Sequence, residues 1–199
     1  MRALYTAATG MMAQEKNVEV IANNVANMRT TGFKRQTIHF QDLLYEQHRR
    51  AGTATSDQNT QSPAGLFVGS GVKTVATPRI MSQGNITMTE RSYDLAIRGE
   101  GFFRIQLPDG RTAYTRDGGF ETDSQGRITN KEGYLVDPGI TVPQDATSVS
   151  INQLGQVSAM LPGQVQPQVL GQLTMSRFIN KIGLESIGDN LFLETPGSG

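Results

Sequence analysis

The sequence predicts a mainly β protein with a long N-terminal α-helix, an antiparallel β-rich outer domain joined to a coiled-coil-like helical segment. Three observations predict it. Apolar residues fall on helical spacing without proline from Arg2 to about Met28. From Leu66 onward the period changes to two, and the alternating stretches are separated by glycine-containing turn signals such as PDG, DGG, DSQG and NKEG.

The helix is justified by its seam. Leu4, Met11, Val18 and Val25 stand seven apart, and Ala7, Ile21 and Met28 follow three of them by three residues, with Gln14 the polar exception. Such an a/d stripe over nearly four heptads calls for another helix against it, and the rest of the chain offers no second long heptad pattern. The alternative is an ordinary amphipathic helix whose apolar stripe packs on the β-domain. Gly10 costs about 1 kcal/mol relative to alanine, recoverable where another backbone approaches closely.

Residues 21 to 35, IANNVANMRTTGFKR, close the helix with three asparagines. Asparagine is a mediocre helix former because its amide competes for nearby backbone groups. Termination through Asn27 or Gly32 accounts for one of them. Asn23 and Asn27 share one face, and Asn24 lies toward the seam residues Ile21 and Val25, where amides can set register between helices.

Residues 30 to 47 show no clean period and are expected to be extended, then to make a short helical or strand-like turn. Residues 48 to 65, HRRAGTATSDQNTQSPAG, have the composition of a flexible linker. The remainder reads as a meander of about ten short strands reaching Ile179. The expected division is therefore 1–29 for the heptad helix, 30–65 for the extended and polar segment, and 66–199 for the β-rich domain.

Composition narrows function. Lys plus Arg and Asp plus Glu are each 18, so no polyanionic partner such as nucleic acid is implied. The absence of cysteine removes disulfides, thiolate metal sites and cysteine nucleophiles. No apolar run reaches the roughly 20 residues of a membrane span, and the start lacks a signal-peptide core.

His39 and His48 match no zinc spacing. Gly99, Gly101 and Phe102 in RGEGFF lack the lysine of a phosphate loop, so a bulge or tight strand crossing is expected there. Asp109, Asp117 and Asp137 each stand beside Gly or Pro, and Asp123 opens the turn signal DSQG, so turn-making outweighs a catalytic or calcium role. No GxSxG elbow occurs. No catalytic residue, metal, cofactor or small-molecule substrate is expected.

LYTAATGMMAQEKNVEVIANNVANMRTTGFKR resembles the N-terminal signature of the flagellar axial proteins, the rod and hook family, with its ANN-x-AN pattern followed by T-x-GFK. SQGNITMTERSYDLAIRGEGFF and the later AYTRDGGF resemble the same family's downstream block, so the likeness covers nearly the whole chain. The Gln/Ser/Thr-rich insert before GLFVGSGV, and GLESIGDNLFLET, resemble the distal-rod branch. Members continue into a C-terminal helix that pairs with the N-terminal one, whereas this sequence stops at GSG.

The resemblance implies a structural subunit that leaves the cell by the flagellar type III pathway. It would polymerise helically into the hollow drive shaft crossing the periplasm in the basal body and transmit torque to the hook. Its implied partners are copies of itself, other rod proteins, the hook protein and the P and L rings. Leu4, Met11, Val18, Ile21 and Val25 would bury against neighbouring helices; Asn23, Asn24 and Asn27 would set register. Gly32 would let the chain turn, and Phe33 would anchor the next segment. The rivals are a proximal rod or hook protein and, from another class, a helix-anchored glycan-binding β-module.

Overall fold

The computed structural model describes residues 1–52 and 63–199. They form two compact units: residues 1–28 with 35–80, and residues 29–34 with 81–199.

The first unit begins with α1, Arg2–Ala26. Its length follows from the absence of proline and glycine breaks other than Gly10, and its end from Asn27. Both the Asn27 backbone N–H and its Nδ2 donate to the Asn23 carbonyl, at 3.1 and 3.0 Å, so one residue closes the last turn twice.

Four strands complete this unit: β1 (His39–Asp42), β2 (Tyr45–Arg49), β3 (Leu66–Gly69) and β4 (Val72–Ala76). β1 pairs β4 and β2 pairs β3, both antiparallel. Leu43 N–H donates to the Gly71 carbonyl and Ser70 N–H to the Leu44 carbonyl, which joins the two pairs into one long two-stranded ribbon. The ribbon explains why residues 30–47 show no period. Most of its side chains are exposed on both faces, so nothing selects for alternation. The polar insert falls largely on residues 53–62, which lie outside the described residues.

The helix meets β4 through small residues. Thr9 and Ala13 are the buried side chains of α1. Thr9 Oγ1 accepts from Val72 N–H at 3.4 Å and donates to the Thr6 carbonyl at 2.8 Å. Gly71 makes the approach possible, since a Cβ there would stand 2.3 Å from Thr9 Oγ1. Within the first unit the face of α1 that packs on β4 is the small, polar one.

The second unit contains eleven strands among the described residues, more and shorter than the roughly ten spread over 66–179. They are β5 (Phe102–Gln106), β6 (Thr112–Thr115), β7 (Glu121–Thr122), β8 (Ile128–Thr129), β9 (Leu135–Val136), β10 (Ser148–Ile151), β11 (Gln156–Met160), β12 (Gln168–Gln172), β13 (Met175–Ser176), β14 (Glu185–Gly188) and β15 (Leu191–Leu193). One sheet runs β14-β15-β6-β5-β9-β8-β7, with β13 also on β5, and a second runs β10-β11-β12. All these pairings are antiparallel.

β5 is the centre of this unit because both of its faces are covered. Successive side chains point to opposite sides of a strand. Phe103 and Ile105 enter a core with Phe120, Ile128, Val136 and Val157, while Phe102 enters a second with Tyr114, Phe178, Leu184 and Phe192. Edge-to-face ring contacts knit each core: Phe103 to Phe120 at 5.0 Å, Tyr114 to Phe178 at 4.7 Å and Phe102 to Phe178 at 5.7 Å.

Candidate functional site

The seam residues of α1 all point to solvent. Leu4 is 71 %, Met11 68 %, Val18 63 %, Ile21 52 % and Val25 65 % exposed, although each is of a type that gains roughly 1.5 to 3 kcal/mol on full burial. Met28, Tyr5 and Met12 extend the surface. An exposed apolar stripe of this size, backed by a helix face that is already packed, is of the kind that marks interaction surfaces. At Gly10 no described atom lies within 4 Å of where a Cβ would stand, so the helix backbone is open to a neighbour there.

The three asparagines do three different things. Asn24 reads the backbone of Gln36: its Nδ2 donates to the Gln36 carbonyl at 2.8 Å and its Oδ1 accepts from Gln36 N–H at 2.9 Å. A side-chain amide thus substitutes for a strand partner and fixes the root of the ribbon, where Gln36 also bridges Arg79. Asn27 caps the helix, as above. The exposed Asn23 lends its backbone carbonyl to that cap.

Between helix and ribbon the chain runs through a strap, residues 29–34, that belongs to the second unit. Gly32 has φ +74°, and a Cβ there would stand 2.7 Å from the Asp117 nitrogen, so both conformation and contact require glycine. Asn190 Nδ2 donates to the Thr31 carbonyl at 3.0 Å, Phe33 N–H to Thr30 at 3.2 Å, and Lys34 Nζ to the Ser82 carbonyl at 2.8 Å. Phe33 is half-buried. Burial holds the Lys34 ammonium below its ordinary pKa, and the Arg116 guanidinium pushes the same way.

Strap residues Arg29, Thr30 and Thr31 also line a polar cavity of about 360 Å³ with Asp117, Lys131 and Asn190. Asp117 is neutralised there by Lys131 at 3.3 Å. The sequence carries no periodic signal for such a cavity, because it forms where the strap crosses a turn far along the chain.

The candidate carboxylates behave as turn residues. Asp109 Oδ1 accepts from Arg111 N–H, Asp117 Oδ1 from Gly119 N–H and Asp123 Oδ1 from Gln125 N–H, at 2.8 to 3.0 Å. Asp137 instead accepts from Thr174 Oγ1 at 3.0 Å. His48 Nε2 lies 4.0 Å from Glu46, and His39 is exposed on β1. Ser70 and Lys73 stand three apart, a spacing that juxtaposes hydroxyl and amine on a helix. In this chain Ser70 lies between β3 and β4 and Lys73 on β4, so no helix brings the two together.

Comparison with known proteins places these features. The model of the flagella basal body rod protein family matches residues 4–34, and that of the flagellar hook protein FlgE/F/G D1 domain matches residues 96–159. The flagellar basal-body rod protein FlgG of Caulobacter vibrioides is 55 % identical over 199 residues, all of this chain and 76 % of that protein. FlgG of Borreliella burgdorferi is 49 % identical over 201 residues, covering all of this chain and 76 % of its own length. The flagellar hook protein FlgE of Helicobacter pylori is 40 % identical over 137 residues, 68 % of this chain and 19 % of that protein.

Proposed function

Since this chain belongs to the flagellar basal-body rod protein FlgG family, we propose that it acts by polymerising through the apolar face of α1 into a torque-transmitting shaft. It is a structural subunit of the distal rod and resides in the flagellar basal body with other flagellar components. The work of such a subunit is mechanical. It catalyses no reaction and takes no cofactor.

The observation that carries this reading is the inverted packing of α1. Its small face is used inside the chain and its apolar face is left at the surface. Leu4, Met11, Val18, Ile21 and Val25 bury against helices of neighbouring copies, and contacts of this head-to-tail kind that do not close into a ring generate a helical filament. Asn23 and Asn27 fix register at the end of the seam, and Asn24 contributes by holding the chain that leaves it. Gly32 and Phe33 set where each copy's strap lies.

In this reading the roles divide along the chain, 1–29 packing along the shaft, 30–65 stiffening it against adjacent copies, and 66–199 offering the surface met by the rest of the basal body. Other rod proteins and the hook protein meet the ends of the polymer, and the P and L rings surround it.

The test is to isolate basal bodies from the source bacterium and map this chain by mass spectrometry, comparing wild type with Val18→Asp. Wild-type peptides located in the rod, with no rod in the mutant, fit the reading. Wild-type basal bodies lacking the chain would return the glycan-binding alternative, and normal rods from the mutant would refute the seam.

A further inference from the structure

The loop Arg98-Gly99-Glu100-Gly101, entering β5, is surrounded by positive charge. Arg116 Nη2 donates to the Gly99 carbonyl at 2.6 Å while its guanidinium lies 5.4 Å from the Phe102 ring centre. Arg177 reaches Glu100 at 2.8 Å, and Lys181 bonds the same carboxylate. Lys34 approaches through Ser82, and Gln83 next to it accepts from Gly99 N–H at 3.3 Å. Arg98 is exposed within the loop.

Glu100 is therefore already shared by Arg177 and Lys181, Arg116 feels its charge, Lys34 feels Arg116, and Arg98 stands two residues before Glu100 in the same loop. Lys34 and Arg116 are hydrogen-bonded to carbonyls, and of the two only Arg116 also feels the Glu100 carboxylate. Both are half-buried, where two like charges repel with less screening than in water.

The rest of the second unit has the opposite balance. Residues 29–34 and 81–199 hold eleven basic and thirteen acidic side chains. The loop region takes five of the basic and one of the acidic, leaving six basic against twelve acidic elsewhere on the same unit.

We propose that Lys34, Arg98, Arg116, Arg177 and Lys181, grouped about Glu100, form an acceptor surface for carboxylates of a second copy of this chain. A surface segregated in this way is complementary to itself after a translation, which is the relation between successive copies in a filament. An acidic glycan or a different protein would also meet cations here. The whole chain's neutral balance and the acidic excess on the same unit favour a second copy. The proposal rests on the rod-polymer reading.

The test uses isolated rods and the dispersed subunit, each treated with a water-soluble carbodiimide that joins lysine amines to carboxylates in contact. Peptide mapping should find the Lys181 to Glu100 link in the dispersed subunit, which serves as the internal control. Links from Lys34 or Lys181 to other carboxylates of this chain, present in rods and absent from the dispersed subunit, are the expected result. Rods in which only the control link forms, or in which these lysines join another protein or a glycan acid, overturn the proposal.

Should the control link itself fail to form, Arg98→Glu decides. Arg98 is exposed, and its reversal should make rods dissociate about ten-fold faster at low salt, a difference that shrinks as salt rises. An unchanged rate overturns the acceptor surface. Rods that lack this chain altogether would instead overturn the polymer reading, so the two failures are distinguishable.

Discussion

The two units of the chain solve burial in opposite ways. Among the described residues every buried hydrophobic side chain except Ala13 lies in the second unit, where β5 is covered on both faces. The first unit presents its helix stripe, together with Leu44, Tyr45, Leu66, Phe67 and Val68 of the ribbon, to solvent. A two-stranded ribbon without a covering layer is marginal in water. The second unit thus carries its own stability, and the first leaves most of its large apolar side chains exposed.

The largest effects should separate the units cleanly. Phe120→Ala removes a ring that is 1 % exposed and should cost the second unit about 3 to 5 kcal/mol, read by denaturant unfolding of the isolated subunit. Val18→Asp should move that unfolding by no more than about 0.5 kcal/mol while abolishing rods. A Val18→Asp subunit destabilised as deeply as Phe120→Ala would erase the contrast, because the seam would then be core.

Gly32→Ala tests the strap. A left-handed φ costs a non-glycine residue about 1 to 2 kcal/mol, and the Asp117 backbone leaves no room for the methyl group. Loss of about 2 kcal/mol or more is expected, with faster hydrogen exchange at Phe33. Exchange unchanged at the strap would show that the second unit does not depend on it.

Asn24→Ala should be smaller and confined to the first unit. It removes two hydrogen bonds to Gln36, each contributing about 0.5 to 1.5 kcal/mol net. Faster exchange of the Gln36 amide with unaltered unfolding of the second unit is the expected result. Equal loss in both units would mean that they do not unfold separately.

The smallest effect is a pH dependence of the second unit. Hydrogen bonds from the Arg127 backbone, helped by its side chain and by Gln125, hold the Asp123 carboxyl below the usual aspartate value of 3.8. Because the folded value is depressed, this contribution is fully present above the unfolded value and is lost as pH falls through the folded one. Asp123→Asn should therefore flatten the acid limb by lowering the unit's stability slightly at neutral pH, where the contribution is present, and converging with wild type below about pH 4. A mutant with an identical acid limb would remove Asp123 from the account.

Much was legible in sequence where chemistry is local. The heptads specified α1 because a helix repeats every 3.6 residues whatever surrounds it. The turn motifs located hairpins because Asp and Gly meet backbone requirements within four residues, as Asp109, Asp117 and Asp123 show. The family signature lay in the same local spellings.

Other features depended on residues far apart. The pairing of residues 39–49 with 66–76 carried no periodic signal, since a ribbon exposed on both faces selects no pattern. Asn24 belonged, by sequence, to a register cluster beside the seam, and only the fold brought Gln36 to it. Which face of α1 packs inside the chain was equally open, because amphipathicity names two faces and not their partners. The sequence by itself determined the elements, the turns and the existence of an apolar seam, all set by interactions within a few residues. Tertiary structure alone decided that Thr9 and Ala13 face β4 and that Arg177 and Lys181 converge on Glu100, because those outcomes depend on distances between segments that no local spelling encodes.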